Sequence, residues 1–130
     1  MRRALLLLGL GILLSGAEVS GHHSFAGSYF EDQIVSVDGT VEVFEYRNPH
    51  SWVYFTAKDA TGVVRQYGAE WANPRRLEQQ GVTGTSIRLG DHVLVSGSPS
   101  HSATVNAVHL KSIRRPADGW SWPTGTGRRR

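Results

Sequence analysis

The sequence contains no cysteine, and the initiator Met1 is its only methionine. Disulfide bonds and thiolate metal sites are therefore excluded, and so is thioether ligation of Cu(I) once a leader is removed. Any bound metal ion must be held by nitrogen and oxygen atoms. The motifs of common enzyme classes are also missing: there is no Gly-x-Ser-x-Gly, no His-Glu-x-x-His and no glycine-rich phosphate loop. We therefore expect a binding protein and not an enzyme.

A long hydrophobic run is missing too. The apolar stretch over residues 4–14 has 11 residues, too few to cross a hydrocarbon layer of about 30 Å as a helix. Arg2 and Arg3 precede this stretch and mostly small residues follow it, which is typical of a secretory signal. We predict a signal peptide over residues 1–21, no stable membrane anchor after its cleavage, and a periplasmic or secreted protein. Cleavage after Ala17 is the alternative to cleavage after Gly21.

The excess of positive charge is confined to the two ends of the chain. Between residues 22 and 127, nine Lys or Arg stand against ten Asp or Glu, although the whole chain carries a net charge of +3. The body of the protein therefore lacks the basic surface that is typical of nucleic-acid binding. We expect a metal ion, a small ligand or a protein as the partner, and no nucleic acid.

Short segments with strand character alternate with turns. Residues 34–46 alternate between apolar and polar side chains, which predicts a half-buried strand with a bulge or a sharp coil at Gly39. Residues 51–57 and 63–71 predict two further strands, because both are rich in aromatic and β-branched residues. The turn between them contains Asp, Thr and Gly, as hairpin turns commonly do.

A short helix is predicted between the third strand and the fourth. Asn73 followed by proline is typical of a helix cap and first helical residue, and residues 92–97 and 103–113 predict two more strands. Three strands, a short helix and two strands are the order of the OB-fold. We predict an all-β protein with one short helix, a five-stranded OB-like Greek-key barrel over residues 22–115, and an irregular Arg/Trp-rich tail over residues 116–130.

Several motifs occur together that resemble a known family. They are His22-His23-Ser24-Phe25 after the predicted signal, Asn48-Pro49-His50-Ser51-Trp52, and the weaker Leu89-Gly90-Asp91. With them, the chain resembles a family of small exported bacterial proteins known only as a domain of unknown function, over residues 21–113. The resemblance implies an exported OB-like β domain, and it implies no activity.

The paired histidines at the predicted start of the mature protein suggest a metal site. Cleavage after Gly21 would make His22 the first residue, with its α-amino group and imidazole as two nitrogen donors. His50 would supply a third nitrogen, in the T-shaped arrangement known as a histidine brace, and such donors favour Cu(II). We predict a copper site of His22, His23 and His50, with Glu70 or Asp91 as the carboxylate that orients a ring N–H.

Two alternatives stay open at this point. The N-terminal histidines can be without function, with His50 satisfied by the backbone of a turn. The aromatic side chains can instead form a ligand face for a small organic molecule, an oligosaccharide or a protein, at Trp52, Tyr54 and Trp71. Of the remaining histidines, we expect the strand residues His92 and His109 to be packed or at the surface, and His101 to be solvated.

Overall fold

The computed structural model describes residues 25–124. The predicted signal over residues 1–21, the paired His22 and His23, and the three C-terminal arginines lie outside the described residues. Within the described range, no helix has the length and apolar character needed to cross a bilayer.

The described chain forms a closed barrel with one short helix. A 3-10 turn at Phe25–Gly27 is followed by β1 (Val35–Glu45), β2 (Trp52–Lys58), β3 (Val64–Glu70), α1 (Pro74–Gln79), β4 (His92–Pro99), β5 (Ala107–Arg115) and β6 (Trp120–Trp122). The strands are bonded in the order β3-β2-β1-β4-β5-β6, and a parallel pairing of β3 with β5 closes the first five into a barrel. The predicted fold class, an OB-like five-stranded barrel with one short helix, is confirmed.

In the second half of β1, the alternation of inward and outward side chains shifts by one residue. Its register against β2 shifts between Val41 and Val43, so that Val43 lies opposite the outward-facing Tyr54. Val41 is consequently buried while Val43 is 48% exposed, and Phe44 takes the next position against the core. The predicted bulge exists, but it lies two or more residues beyond Gly39.

The helix is built as its first residues predict. The side-chain oxygen of Asn73 accepts a hydrogen bond from the backbone N–H of Arg76 at 2.9 Å, and Pro74 occupies the first helical position. Leu77 is the helix residue that is fully buried, and it joins the barrel core. Burial of a leucine side chain contributes about 2 kcal/mol, which fixes this two-turn helix against the barrel.

The tail contains a sixth strand. Trp120 and Trp122 of β6 pair with Arg115 and Ile113 of β5. The Arg115 guanidinium forms ion pairs with Asp91 and Asp118, and it lies 5.3 Å from the ring centroid of Trp120. The prediction of an irregular tail is therefore wrong for Trp120–Trp122, because ion pairs and indole packing hold this short segment against β5.

Candidate functional site

The N-terminal arm, residues 25–33, lies across the seam where β3 pairs with β5. The backbone N–H of Phe30 donates to Pro99 O at 2.9 Å, and Tyr29 forms an isolated bridge with Ser100. Neighbouring residues in a strand point to opposite faces, so burial of Ala69 and Val108 in the core turns the next residues outward. These outward residues, Glu70 and His109, meet the arm.

Glu70 connects the arm to the corner between β1 and β2. Its Oε1 lies 2.7 Å from Nδ1 of His50, and its Oε2 accepts a hydrogen bond from the hydroxyl of Tyr29. Burial, together with the neighbouring Glu70 carboxylate, raises the pKa of Tyr29 far above its usual range, so this hydroxyl remains a donor. A carboxylate only accepts hydrogen bonds, so the proton of a neutral His50 lies on Nδ1 and its Nε2 keeps a lone pair.

Glu31 of the arm makes the equivalent contact with His109. Its Oε1 lies 2.7 Å from Nδ1 of His109, and its other oxygen bonds to the ammonium group of Lys111. Partial burial opposes ionisation of Glu31, but the hydrogen bonds from Lys111 and His109 outweigh it and hold the pKa of this carboxyl below its usual range. His109 is therefore fixed in the same tautomer as His50.

Phe25 brings the two histidine–carboxylate pairs together. Its ring lies parallel to that of His109, with 3.6 Å between centroids and 6° between planes. The ring of His50 lies 5.2 Å from Phe25 at 29°. The first described residue of the chain thus contacts both imidazoles; we call this group, Phe25 with His50 and His109, the histidine corner.

The structure brings some of the predicted site residues together and separates others. His50 and Glu70 are bonded, as the sequence suggested, whereas His22 and His23 lie outside the described residues. The carboxylate of Asp91 accepts hydrogen bonds from Arg115 and from the backbone of Arg88. Because Asp91 lies beside the middle of β1, the structure does not bring it to the corner that holds His50.

The structure separates the three residues of the predicted aromatic face. Trp71 is only 2% exposed and packs in the core, because the chain turns inward as β3 ends, so Trp71 is not part of an outer face with the other two. Trp52 and Tyr54 do lie side by side on the outer face, with 5.8 Å between centroids and 7° between planes. Gly68 leaves room beneath them, since a Cβ there would lie 3.2 Å from the Trp52 ring.

The sequence did not identify two residues at this site. His109 was expected to be packed or at the surface and not to be a ligand, and Glu31 was not considered. His109 lies between the buried Val108 and Leu110, and this alternation indicates that its side chain points outward. The sequence does not show that β3 pairs with β5 and places Glu70 beside His109. Across residues 25–124, no three His, Cys, Asp or Glu side chains converge in a way that would hold a metal ion.

A family model described as a family of unknown function (DUF6152) matches residues 11–109 of the chain. No curated protein matches the sequence. Among solved structures, a small single-stranded DNA-binding protein from Streptomyces coelicolor is similar, at 18% sequence identity and a TM-score of 0.44. The similarity covers 68% of this chain and 95% of that protein.

Proposed function

We propose, for a chain that belongs to the DUF6152 family of unknown function, that the protein binds copper at the histidine corner. The position of Phe25 supports this proposal, because its ring contacts both His109 and His50. His23 precedes Phe25 by two residues and His22 by three. The chain from His22 to Phe25 is at most about 11 Å long, and the proposal assigns both histidines to this corner.

The hydrogen bonds of the two described imidazoles support this proposal. Both Nδ1 atoms are bonded to carboxylates, and within residues 25–124 neither Nε2 atom takes part in a hydrogen bond. A carboxylate on the far nitrogen fixes the ring orientation and makes the other nitrogen a better ligand. Neutral imidazole nitrogens suit Cu(II), which binds most tightly among the divalent first-row metals. The N-terminal histidines would complete a ligand set that the described residues do not complete alone.

The proposal includes export. Removal of residues 1–21 makes His22 the first residue and adds its α-amino group to the donors, as in a histidine brace. Cleavage after Ala17 would leave the paired imidazoles without that amine. The proposed role is binding and handling of copper outside the cytoplasm, without catalysis. Nucleic acid is not a proposed partner, because the acidic and basic residues of the body nearly balance.

Copper titration of the exported, processed protein tests the proposal. Cu(II) is added while tryptophan fluorescence is followed, and intact mass identifies the first residue. We expect His50→Ala and His109→Ala each to weaken copper affinity by about tenfold or more. His92→Ala is the matched control, because His92 is a half-exposed histidine paired with Asp38 at another part of the barrel. Equal affinity in the wild type and all three variants would exclude the corner as the binding site.

A second candidate function is supported by the outer-face pair of Trp52 and Tyr54. Two parallel, partly exposed rings offer a surface on which a sugar or another flat ligand can stack. Cellotriose is a suitable probe, with Trp52→Leu as the variant that removes the larger ring. We expect saturable quenching of tryptophan fluorescence that the variant loses; no quenching in the wild type would exclude this candidate.

A further inference from the structure

The barrel wall opens between β3 and β6. Strand β4 pairs along one edge of β5, so β3 and β6 must share the other edge. There β3 pairs with β5 at residues 107–109, and β6 pairs with β5 at residues 113–115. Leu110, in the unshared middle of β5, lines a cavity of about 200 Å³ together with Arg76 of α1.

Aromatic rings form the walls of this cavity. Phe25 and His109, stacked on one another, line it together with Trp122, and Trp71 lines its inner side. The indole nitrogen of Trp71 is buried and has no hydrogen-bond acceptor within residues 25–124. An unpaired buried donor costs about 1–3 kcal/mol.

Two polar side chains that line the cavity can donate hydrogen bonds. Arg76 and Gln80 of the α1 segment line the cavity and are four residues apart, which places them on one face of a helix. The Gln80 carbonyl oxygen accepts from the Trp122 indole at 2.9 Å, which leaves the amide N–H groups of Gln80 as donors. Within the described chain, Arg76 forms no ion pair.

We propose that this cavity binds a small organic acid, with its carboxylate on Arg76 and Gln80 and its flat apolar body between Trp122 and the Phe25–His109 pair. A guanidinium binds a carboxylate through two parallel hydrogen bonds, and the aromatic walls favour a single ring over a flexible chain. Its ligand differs from copper: it is an organic anion, held by Arg76, which is no part of the histidine corner. The two sites share Phe25 and His109, so the test is made without metal.

Phenylacetate is the probe, added in EDTA at constant ionic strength. The signals of the Trp122 indole N–H and the Gln80 side-chain amide are followed in ¹H–¹⁵N spectra. We expect saturable shifts, and about tenfold weaker binding of the neutral isostere phenylacetamide. Arg76→Gln should weaken phenylacetate binding by a similar factor. Arg75→Gln, its exposed neighbour that does not line the cavity, should change it by less than about twofold.

Gln80→Glu provides a second variant, because it keeps an acceptor for Trp122 but places a repelling charge at the rim. It should weaken the binding of phenylacetate more than the binding of phenylacetamide, because the added charge repels only the acid. Absence of saturable shifts in the wild type would overturn the proposal. So would equal affinity for the acid and the amide, or equal losses in Arg76→Gln and Arg75→Gln. Copper binding in the same preparations, measured without EDTA, reports separately on the histidine corner.

Discussion

Glu70 of β3 lies directly beside His109 of β5 in the parallel pairing that closes the barrel. Glu70 also bonds to His50 and to Tyr29. Glu70 thus contacts three parts of the fold: the corner between β1 and β2, the N-terminal arm, and the seam between β3 and β5. The histidine corner therefore depends on closure of the barrel, since no local segment contains both of its imidazoles.

Replacement of Glu70 by glutamine tests its orienting role at His50. Glutamine keeps the size of the side chain but removes the charge that favours a proton on Nδ1 of His50. Loss of such a carboxylate costs about 10–100-fold in metal affinity, and we expect a loss of that order in Cu(II) titration. Glu42→Gln is the matched control, because Glu42 bonds to Gln66 on the barrel surface. Equal affinities in the two variants would argue against this role.

Tyr29→Phe tests how the arm is held to the seam. The variant keeps the buried ring and deletes the hydroxyl that donates to Glu70. Hydrogen bonds to charged groups are worth about 1.5–3 kcal/mol, so we expect the free energy of unfolding in urea to fall by about 2 kcal/mol. Tyr54→Phe provides the comparison, since the Tyr54 hydroxyl has no hydrogen bond within residues 25–124. Similar losses in both variants would contradict the role of the Tyr29 bond.

Gly39→Ala tests the close approach of β1 to β2. A Cβ at this position would lie 2.7 Å from the Phe55 ring and would also collide with the carbonyl oxygen of Thr56. The backbone of β2 would have to move, and overpacking of this kind costs about 1–3 kcal/mol. We expect thermal unfolding to show a loss at the upper end of this range. At Gly27, where a Cβ would meet nothing within 4 Å, alanine should leave the melting temperature nearly unchanged.

The ion pair of Asp118 with Arg115 predicts a pH dependence of stability. Hydrogen bonds from Arg115, and from the backbone of Trp120, lower the pKa of Asp118 below its ordinary value of 3.8. A lowered pKa in the folded state means that the stabilisation is complete above about pH 4 and is lost as the pH falls through the folded-state pKa. Asp118→Asn should therefore be less stable than the wild type at neutral pH.

Unfolding curves of both proteins between pH 2 and pH 6 check this sign. The difference in stability should shrink steadily below about pH 4. Because Asp118 lies at the surface, about 0.5 M salt should also reduce the difference at neutral pH. A difference that is independent of both pH and salt would show that the asparagine acts by another route.

Much of the fold could be predicted because its signals are local. Alternation of apolar residues identified β1, and Asn73 with Pro74 identified the start of α1. The phase change after Val41 could not be predicted, because it depends on which residue of β2 lies opposite. The inward turn of Trp71 likewise depends on core packing at the end of β3.

The site was less predictable than the fold because its contacts join distant segments. Glu70 was connected with His50 only as one of two carboxylates, and the sequence offers no reason to prefer it over Asp91. The contact of Glu31 with His109 spans 78 residues, and it depends on the backbone bonds of the arm to Pro99 and Ser100, next to β5. The sequence pattern indicates that His109 points outward, but it does not indicate that the carboxylate of Glu31 contacts it.

The stacking of Phe25 on His109 has a practical consequence for anyone who purifies this protein. An oligohistidine affinity tag fused in front of residue 22 would begin only three residues from a ring that touches both described imidazoles. Under the proposed processing, such a tag would block the α-amino group of His22 and add competing imidazoles next to it. Metal stoichiometry should therefore be measured on protein without an N-terminal tag.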